Sequence, residues 1–184
     1  MLTEVEIRQV ASEYKRYVPA SLIRLLKKFN DSVLKAIDAN HRRMIVLCGE
    51  DVETAACCIA RTILSYLRNI KKHKRELLPL RILYMLHRDF PKERVKSGIV
   101  SRILKEEAKE VKLTIADYSE TEEYLGTTFE VLVMDLTDDL KPNDLGRLVG
   151  IVRGGGIIIL NSPEWSTWEN RLTLFQKELA TPQH

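Results

Sequence analysis

The sequence predicts an α/β domain: a three-layer, Rossmann- or helicase-like parallel sheet of about five strands with an N-terminal helical extension. Three observations predict it. Short continuous apolar runs recur without polar alternation, the pattern of strands buried on both faces. Between them lie segments with apolar residues every three or four positions, the period of a helix with one buried face. The first 40 residues carry only the helical period.

Taken in order, residues 3–17 read as a short amphipathic helix. Pro19 interrupts it, because the residue before a proline disfavours the helical region. Residues 20–39 read as a longer helix, with Leu22, Leu25, Leu26, Phe29, Val33, Leu34 and Ile37 forming one stripe. Residues 1–40 are therefore expected to be a helical extension, and residues 41–184 the α/β domain.

The first strand is Met44–Cys48, closed by Gly49, with a helix expected from about Val52 to Ile70. Arg81–Leu86 is the second strand, followed by a helix from about Glu93 to Glu110. Lys112–Ala116 is a weaker third strand. Phe129–Asp135 is the fourth, and Pro142 suits the first turn of the next helix, where its missing N–H costs nothing. Gly156–Leu160 is the fifth, and a last helix is expected over about 167–179. The glycines Gly154, Gly155 and Gly156 follow a helix and are expected to form a C-cap and a tight turn into that strand.

Composition narrows the class. Of the 184 residues, 45% are hydrophobic and 30% charged, enough apolar material for a core and against global disorder. No apolar run reaches the roughly 18 residues a membrane helix needs. The amino terminus lacks the apolar segment of a secretory signal, so the expected location is cytoplasmic. Cys48, Cys57 and Cys58 lack the spaced pairs of a structural zinc site, and the adjacent pair is expected to be buried and inert. The net charge of +3 hides an asymmetry: residues 1–112 carry 24 Lys and Arg against 14 Asp and Glu, residues 113–184 carry 5 against 12.

Ligands of open α/β sheets bind beyond the carboxyl ends of the strands. The loop after the first strand, Gly49-Glu-Asp-Val-Glu-Thr54, has neither the second glycine nor the lysine of a phosphate loop, and its carboxylates repel phosphate. Val131–Asp135 resembles a Walker B strand, whose last Asp holds Mg²⁺. Asp135, Asp138 and Asp139 read either as a hydrated metal site or as an acidic strand end that caps the following helix. Arg147-Leu-Val-Gly150 departs from the acetyl-CoA signature at its last position and reads as structural. The histidines are scattered; His87 is the one that follows a strand. The remaining signal is basic. Lys71, Lys72, Lys74 and Arg75 cluster in one connection, and Arg88, Lys92, Arg94 and Lys96 follow the second strand. Both groups suit phosphate contact, or simply a solvated face.

The later half carries an ordered set of motifs: Tyr124-Leu-Gly-Thr-Thr-Phe129, the strand to Asp135, Leu140-Lys-Pro-Asn-Asp-Leu-Gly-Arg147, and Val152-Arg-Gly-Gly-Gly-Ile-Ile-Ile-Leu160. With Arg43-Met-Ile-Val-Leu-Cys-Gly49 upstream, this resembles the N-terminal domain of the RNA cytidine acetyltransferases that act on tRNA(Met) and ribosomal RNA, over roughly residues 42–180. In place of the family's Gly-Asp, Glu50 and Asp51 stand offset. The resemblance implies a longer parent chain with helicase and acetyltransferase domains, using acetyl-CoA and ATP/Mg to acetylate N4 of cytidine. It implies that this chain is the accessory N-terminal part, with no catalytic, cofactor or metal site of its own. Its expected partners are the helicase and acetyltransferase domains of the parent chain and tRNA or rRNA. The expected RNA contacts are Lys71, Lys72, Lys74, Arg75, Arg88, Lys92, Arg94 and Lys96, on charge alone. A pure interaction module without RNA contact, and a divergent nucleotide- or Mg-binding domain through Asp135, are the alternatives.

Overall fold

The computed structural model describes residues 1–168 and 170. In chain order the elements are α1 (Glu4–Ser12), α2 (Tyr14–Tyr17), α3 (Ala20–Asp38), β1 (Arg43–Cys48), α4 (Val52–His73), β2 (Leu80–Leu86), α5 (Pro91–Glu107), β3 (Val111–Asp117), α6 (Thr121–Tyr124), β4 (Phe129–Asp135), α7 (Pro142–Val149), β5 (Val152–Ser162) and α8 (Trp165–Trp168). The five strands form one sheet in the order β1-β5-β4-β2-β3, and every pairing is parallel. The expected last helix beyond α8 lies outside the described residues.

Side-chain alternation divides the core into two layers. On one face, Ile82, Tyr84, Val131, Val133, Ile157 and Ile159 pack beneath α3, α4 and α5. On the other, Leu83, Met85, Leu132, Met134, Ile158 and Leu160 pack against Leu148 of α7 and Ile151 just beyond it. The N-terminal helices belong to the first layer: Val10, Ala11, Tyr14, Leu22 and Leu26 share its core. Local signals set the helix starts. Thr3 and Glu6 make a reciprocal capping box at α1. Asp51 accepts from the Thr54 backbone N–H at 2.9 Å at α4, and Pro91 and Pro142 open α5 and α7. The stretch expected as one helix over 3–17 is two, broken at Glu13. Cys57 and Cys58 are buried on α4, and burial pushes their thiols up to about 12 and about 11.

The glycine triplet corrects the reading of a helix cap. Gly154, Gly155 and Gly156 lie inside β5, which starts four residues earlier than expected, and α7 ends on Gly150 instead. There the turn between α3 and β1 crosses the strand. A Cβ on Gly154 would stand 2.7 Å from the Asn40 carbonyl oxygen, and one on Gly156 2.5 Å from that of Glu130. Gly155 has φ +84° and donates to the His41 carbonyl at 2.8 Å, while its own carbonyl accepts from the buried Tyr66 hydroxyl at 2.8 Å. Close backbone approach, not helix termination, requires these glycines.

Candidate functional sites at the two ends of the sheet

β2 and β4 are neighbours, yet the helices that follow them diverge: α5 packs on one face of the sheet and α7 on the other. This is the topological switch point, the place where open α/β sheets form a ligand crevice. Here it is filled by a buried polar cluster. His87, the residue after β2, takes both its backbone N–H and its ring to Glu93 on α5: the N–H donates at 2.6 Å, and Nδ1 lies 3.0 Å from Oε2. The other ring nitrogen lies 3.9 Å from Asp139, and the ring packs on Tyr118 at 4.4 Å between centroids. Burial raises the Glu93 carboxyl to about 7, against the opposing pull of His87. Burial pulls the other way on His87, but its bond to Glu93 and the carboxylates of Glu93, Asp139 and Asp135 hold the imidazole above its ordinary value.

Beside this pair, the Lys96 ammonium lies 2.9 Å from Asp135 Oδ2 and donates to Asn161 Oδ1 at 2.7 Å and to Thr137 Oγ1 at 3.2 Å. Lys96 is 1% exposed and Asp135 0%. Asp135 also accepts from the Thr137 backbone N–H and hydroxyl, at 3.1 and 2.6 Å. Two expectations are corrected by this geometry. Lys96 is a core residue whose ammonium neutralises a buried carboxylate, so it does not belong to a phosphate-contacting surface. Asp135 does not cap α7, whose N-cap residue is Lys141 with no side-chain cap bond. The sequence did contain a signal for Lys96: with Glu93, Val100, Ile103 and Leu104 it lies on the inward face of α5 at helical spacing.

The residues at this end do not fit a nucleotide phosphate or its Mg²⁺. The Asp51 carboxylate is spent on the α4 N-terminus, Glu50 stands beside it, and the Walker B-like Asp135 is held by Lys96. Among the described residues, no three His, Cys, Asp or Glu side chains come together in a metal-holding group. Asp138 and Asp139 both take part in further contacts.

The expected basic residues fall at opposite ends of the sheet. α4 starts after β1 and returns over 22 residues, about 33 Å, so Lys71, Lys72, Lys74 and Arg75 stand at the amino ends of the strands. Arg88, Lys92 and Arg94 stand at the carboxyl ends, around the start of α5. Several are engaged. Lys71 pairs with Glu110 at 3.0 Å, Lys74 with Asp38 at 3.1 Å, and Arg88 with Glu120 at 3.0 Å. Arg94 donates to the Arg88 carbonyl. Lys72, Arg75 and Lys92 are exposed and make no ion pair among the described residues. The topology adds cations the sequence reading missed: Lys109 and Lys112, exposed on either side of the start of β3, join the amino-end rim. Nothing in local sequence links them to the 71–75 cluster; only the β2–β3 pairing does.

The family model described as "tRNA(Met) cytidine acetyltransferase TmcA, N-terminal" matches residues 17–184. The chain is 32% identical over 195 residues to the tRNA(Met) cytidine acetyltransferase TmcA of Pyrococcus abyssi, covering 97% of this chain and 22% of that protein. It is 34% identical over 161 residues to the protein of the same name in Methanopyrus kandleri, covering 84% of this chain and 18% of that protein. The chain thus spans about a fifth of the length of these curated relatives.

Proposed function

This chain belongs to the TmcA N-terminal family of tRNA(Met) cytidine acetyltransferases, and from that premise we propose that it is the non-catalytic accessory domain of such an enzyme. In this reading residues 1–40 are a helical extension and residues 41–184 the accessory domain, working in the cytoplasm. The domain docks on the helicase module of its parent chain and lends basic surface to RNA binding. The acetyl-CoA and ATP/Mg that the reaction consumes are held elsewhere in the parent, since the strand-end residues of this chain do not suit a nucleotide.

The observation that carries the reading is the separation of roles between the two ends of the sheet. The carboxyl-end crevice is closed by an internal ion pair between Lys96 and Asp135. The amino-end rim leaves Lys72 and Arg75 exposed without an ion pair among the described residues, with Lys109 and Lys112 on the same rim. Such a rim suits RNA phosphates, which are recognised by charge without base specificity. Charge reversal at Lys72 and Arg75 tests it. The expected result is a loss of tRNA affinity of about tenfold or more, against little change for Lys92→Glu at the opposite end. Equal affinity of wild type and the doubly reversed variant would leave the domain as a docking module without RNA contact.

A further inference from the structure

The amino ends of four neighbouring strands carry a row of charge. In the sheet order β5-β4-β2-β3 its members are Arg153, Glu130, Arg81 and Lys112. Ile82 and Leu113, the next residues along β2 and β3, belong to the layer beneath α4 and α5, so alternation turns Arg81 and Lys112 to the opposite face of the sheet. Glu130, on β4 between the strands of the two arginines, is buried, its side chain 2% exposed. It holds Arg81 by three hydrogen bonds. The Arg81 backbone N–H donates to Oε2 at 2.7 Å, Nε to Oε2 at 3.2 Å and Nη2 to Oε1 at 2.7 Å. From β5, on the other flank of β4, Arg153 Nη1 stands 3.5 Å from the same Oε1.

One carboxylate serves three cations. Glu110, just before β3, is turned to Lys71 at 3.0 Å, and Lys112 makes no ion pair among the described residues. Lys112 stands directly opposite Arg81 in the β2–β3 register, where like charges repel. A guanidinium has more than one donor edge. Arg81 spends Nε and Nη2 on Glu130, and its Nη1 makes no bond among the described residues. Arg153 spends only Nη1. At 46% and 40% exposure, both side chains reach water. We propose that this row seats the phosphates of one RNA strand, an assignment that rests on the reading of the amino-end rim as an RNA surface. Glu130 fixes the two guanidiniums, and their unspent N–H groups, with the Lys112 ammonium, bind phosphate oxygens. Because the arginines are oriented before RNA arrives, binding costs less side-chain entropy than at a loose lysine. From β5 to β3 the cations span three strand spacings, about 14 Å. That length suits successive phosphates of a strand, not a lone phosphate ion. A phosphate shared by Arg81 and Lys112 also relieves their repulsion.

Fluorescence anisotropy of labelled tRNA(Met), titrated with variants of the 184-residue chain at several salt concentrations, tests the proposal. Arg153→Gln and Lys112→Gln are each expected to weaken binding about three- to tenfold and to lower the salt slope by about 1. Arg81→Lys keeps the net charge and a cation beside Glu130, but an ammonium lacks the second edge of the fork. It is expected to weaken binding about threefold or more at unchanged net charge. Circular dichroism checks that each variant is folded. Arg153→Gln removes a single 3.5 Å contact and Lys112→Gln none, so these two keep the test decisive if Arg81→Lys disturbs the strand. Unchanged affinity and slope in both glutamine variants, while reversal at Lys72 and Arg75 still weakens binding, overturns the seat and leaves RNA on the rim lysines. Loss in the glutamine variants with a folded Arg81→Lys indistinguishable from wild type overturns the role of the fixed fork. No binding of tRNA by the wild-type chain at low salt overturns the seat and the RNA reading of the rim together.

Discussion

Replacing Lys96 by alanine tests the buried ion pair at the switch point. The pair is isolated from water: Lys96 is 1% exposed and Asp135 0%, with the ammonium 2.9 Å from the carboxylate. Alanine removes the countercharge and leaves a buried carboxylate with only the Thr137 N–H and hydroxyl for partners. It also strips Asn161 Oδ1 of its 2.7 Å donor. Breaking a buried pair from one side costs about 3–5 kcal/mol. A domain of this size has a total stability of about 5–15 kcal/mol, so the variant sits near the edge of folding. In a thermal melt, at about 2–4 °C per kcal/mol, the midpoint drops by about 6–20 °C. Urea denaturation followed by far-ultraviolet circular dichroism gives the free energy directly. The control is Lys96→Met with Asp135→Asn, which removes both charges and keeps an amide oxygen for Thr137. It is expected to recover the larger part of the loss, because what destabilises is the orphaned charge more than the missing bond. A cost for Lys96→Ala below about 1 kcal/mol, or a double variant no better than the single, refutes the reasoning.

Glu93 is held at about 7 against an ordinary value of 4.5, and His87 above 6.5. Both folded values exceed the unfolded ones, so the proton-linked stability is fully present at low pH within this window and is lost as pH rises through about 7. The denaturation midpoint is expected to fall between about pH 5 and pH 8, and Glu93→Gln to flatten that slope; an unchanged slope in the variant contradicts the assignment. Gly155→Ala forces a side chain into φ +84° with its Cβ 2.9 Å from Ile37 Cγ1. It should cost at least about 1–2 kcal/mol in the same denaturation assay, and a neutral effect would mean that the turn between α3 and β1 does not pin this strand. In native thiol titration, the exposed Cys48 reacts quickly. Cys57 and Cys58, buried and raised to about 12 and about 11, react only on unfolding.

The alternation of apolar runs with helical stripes made the sheet legible. Runs such as Val131–Met134 and Ile157–Ile159 have no polar position, and only a strand buried on both faces uses such a run. Three glycines mimic a helix end locally and hide the start of β5. Their reason is the crossing backbone near Asn40, 114 residues before Gly154 in sequence. A lysine in a basic run reads as solvated, which hides the burial of Lys96. Its burial follows from Asp135, a carboxylate at the end of the apolar run Val131–Met134 that needs a countercharge from a neighbouring helix. The sequence leaves open whether the two basic groups share a surface; β2 carries the chain from one end of the sheet to the other between them. The order of the strands, and with it the edge position of β1 among the described residues, is a long-range property that no local pattern encodes.

We propose that the amino-end rim of this domain contacts RNA phosphates, and fluorescence anisotropy of labelled tRNA(Met), titrated with the 184-residue chain at several salt concentrations, measures that contact. Contact through about three to five of the rim cations predicts that log K falls with log[salt] at a slope of about −2 to −4, and that reversal at Lys72 and Arg75 lowers the slope by about 1–2. No binding even at low salt, or binding whose slope is untouched by that reversal, contradicts the claim.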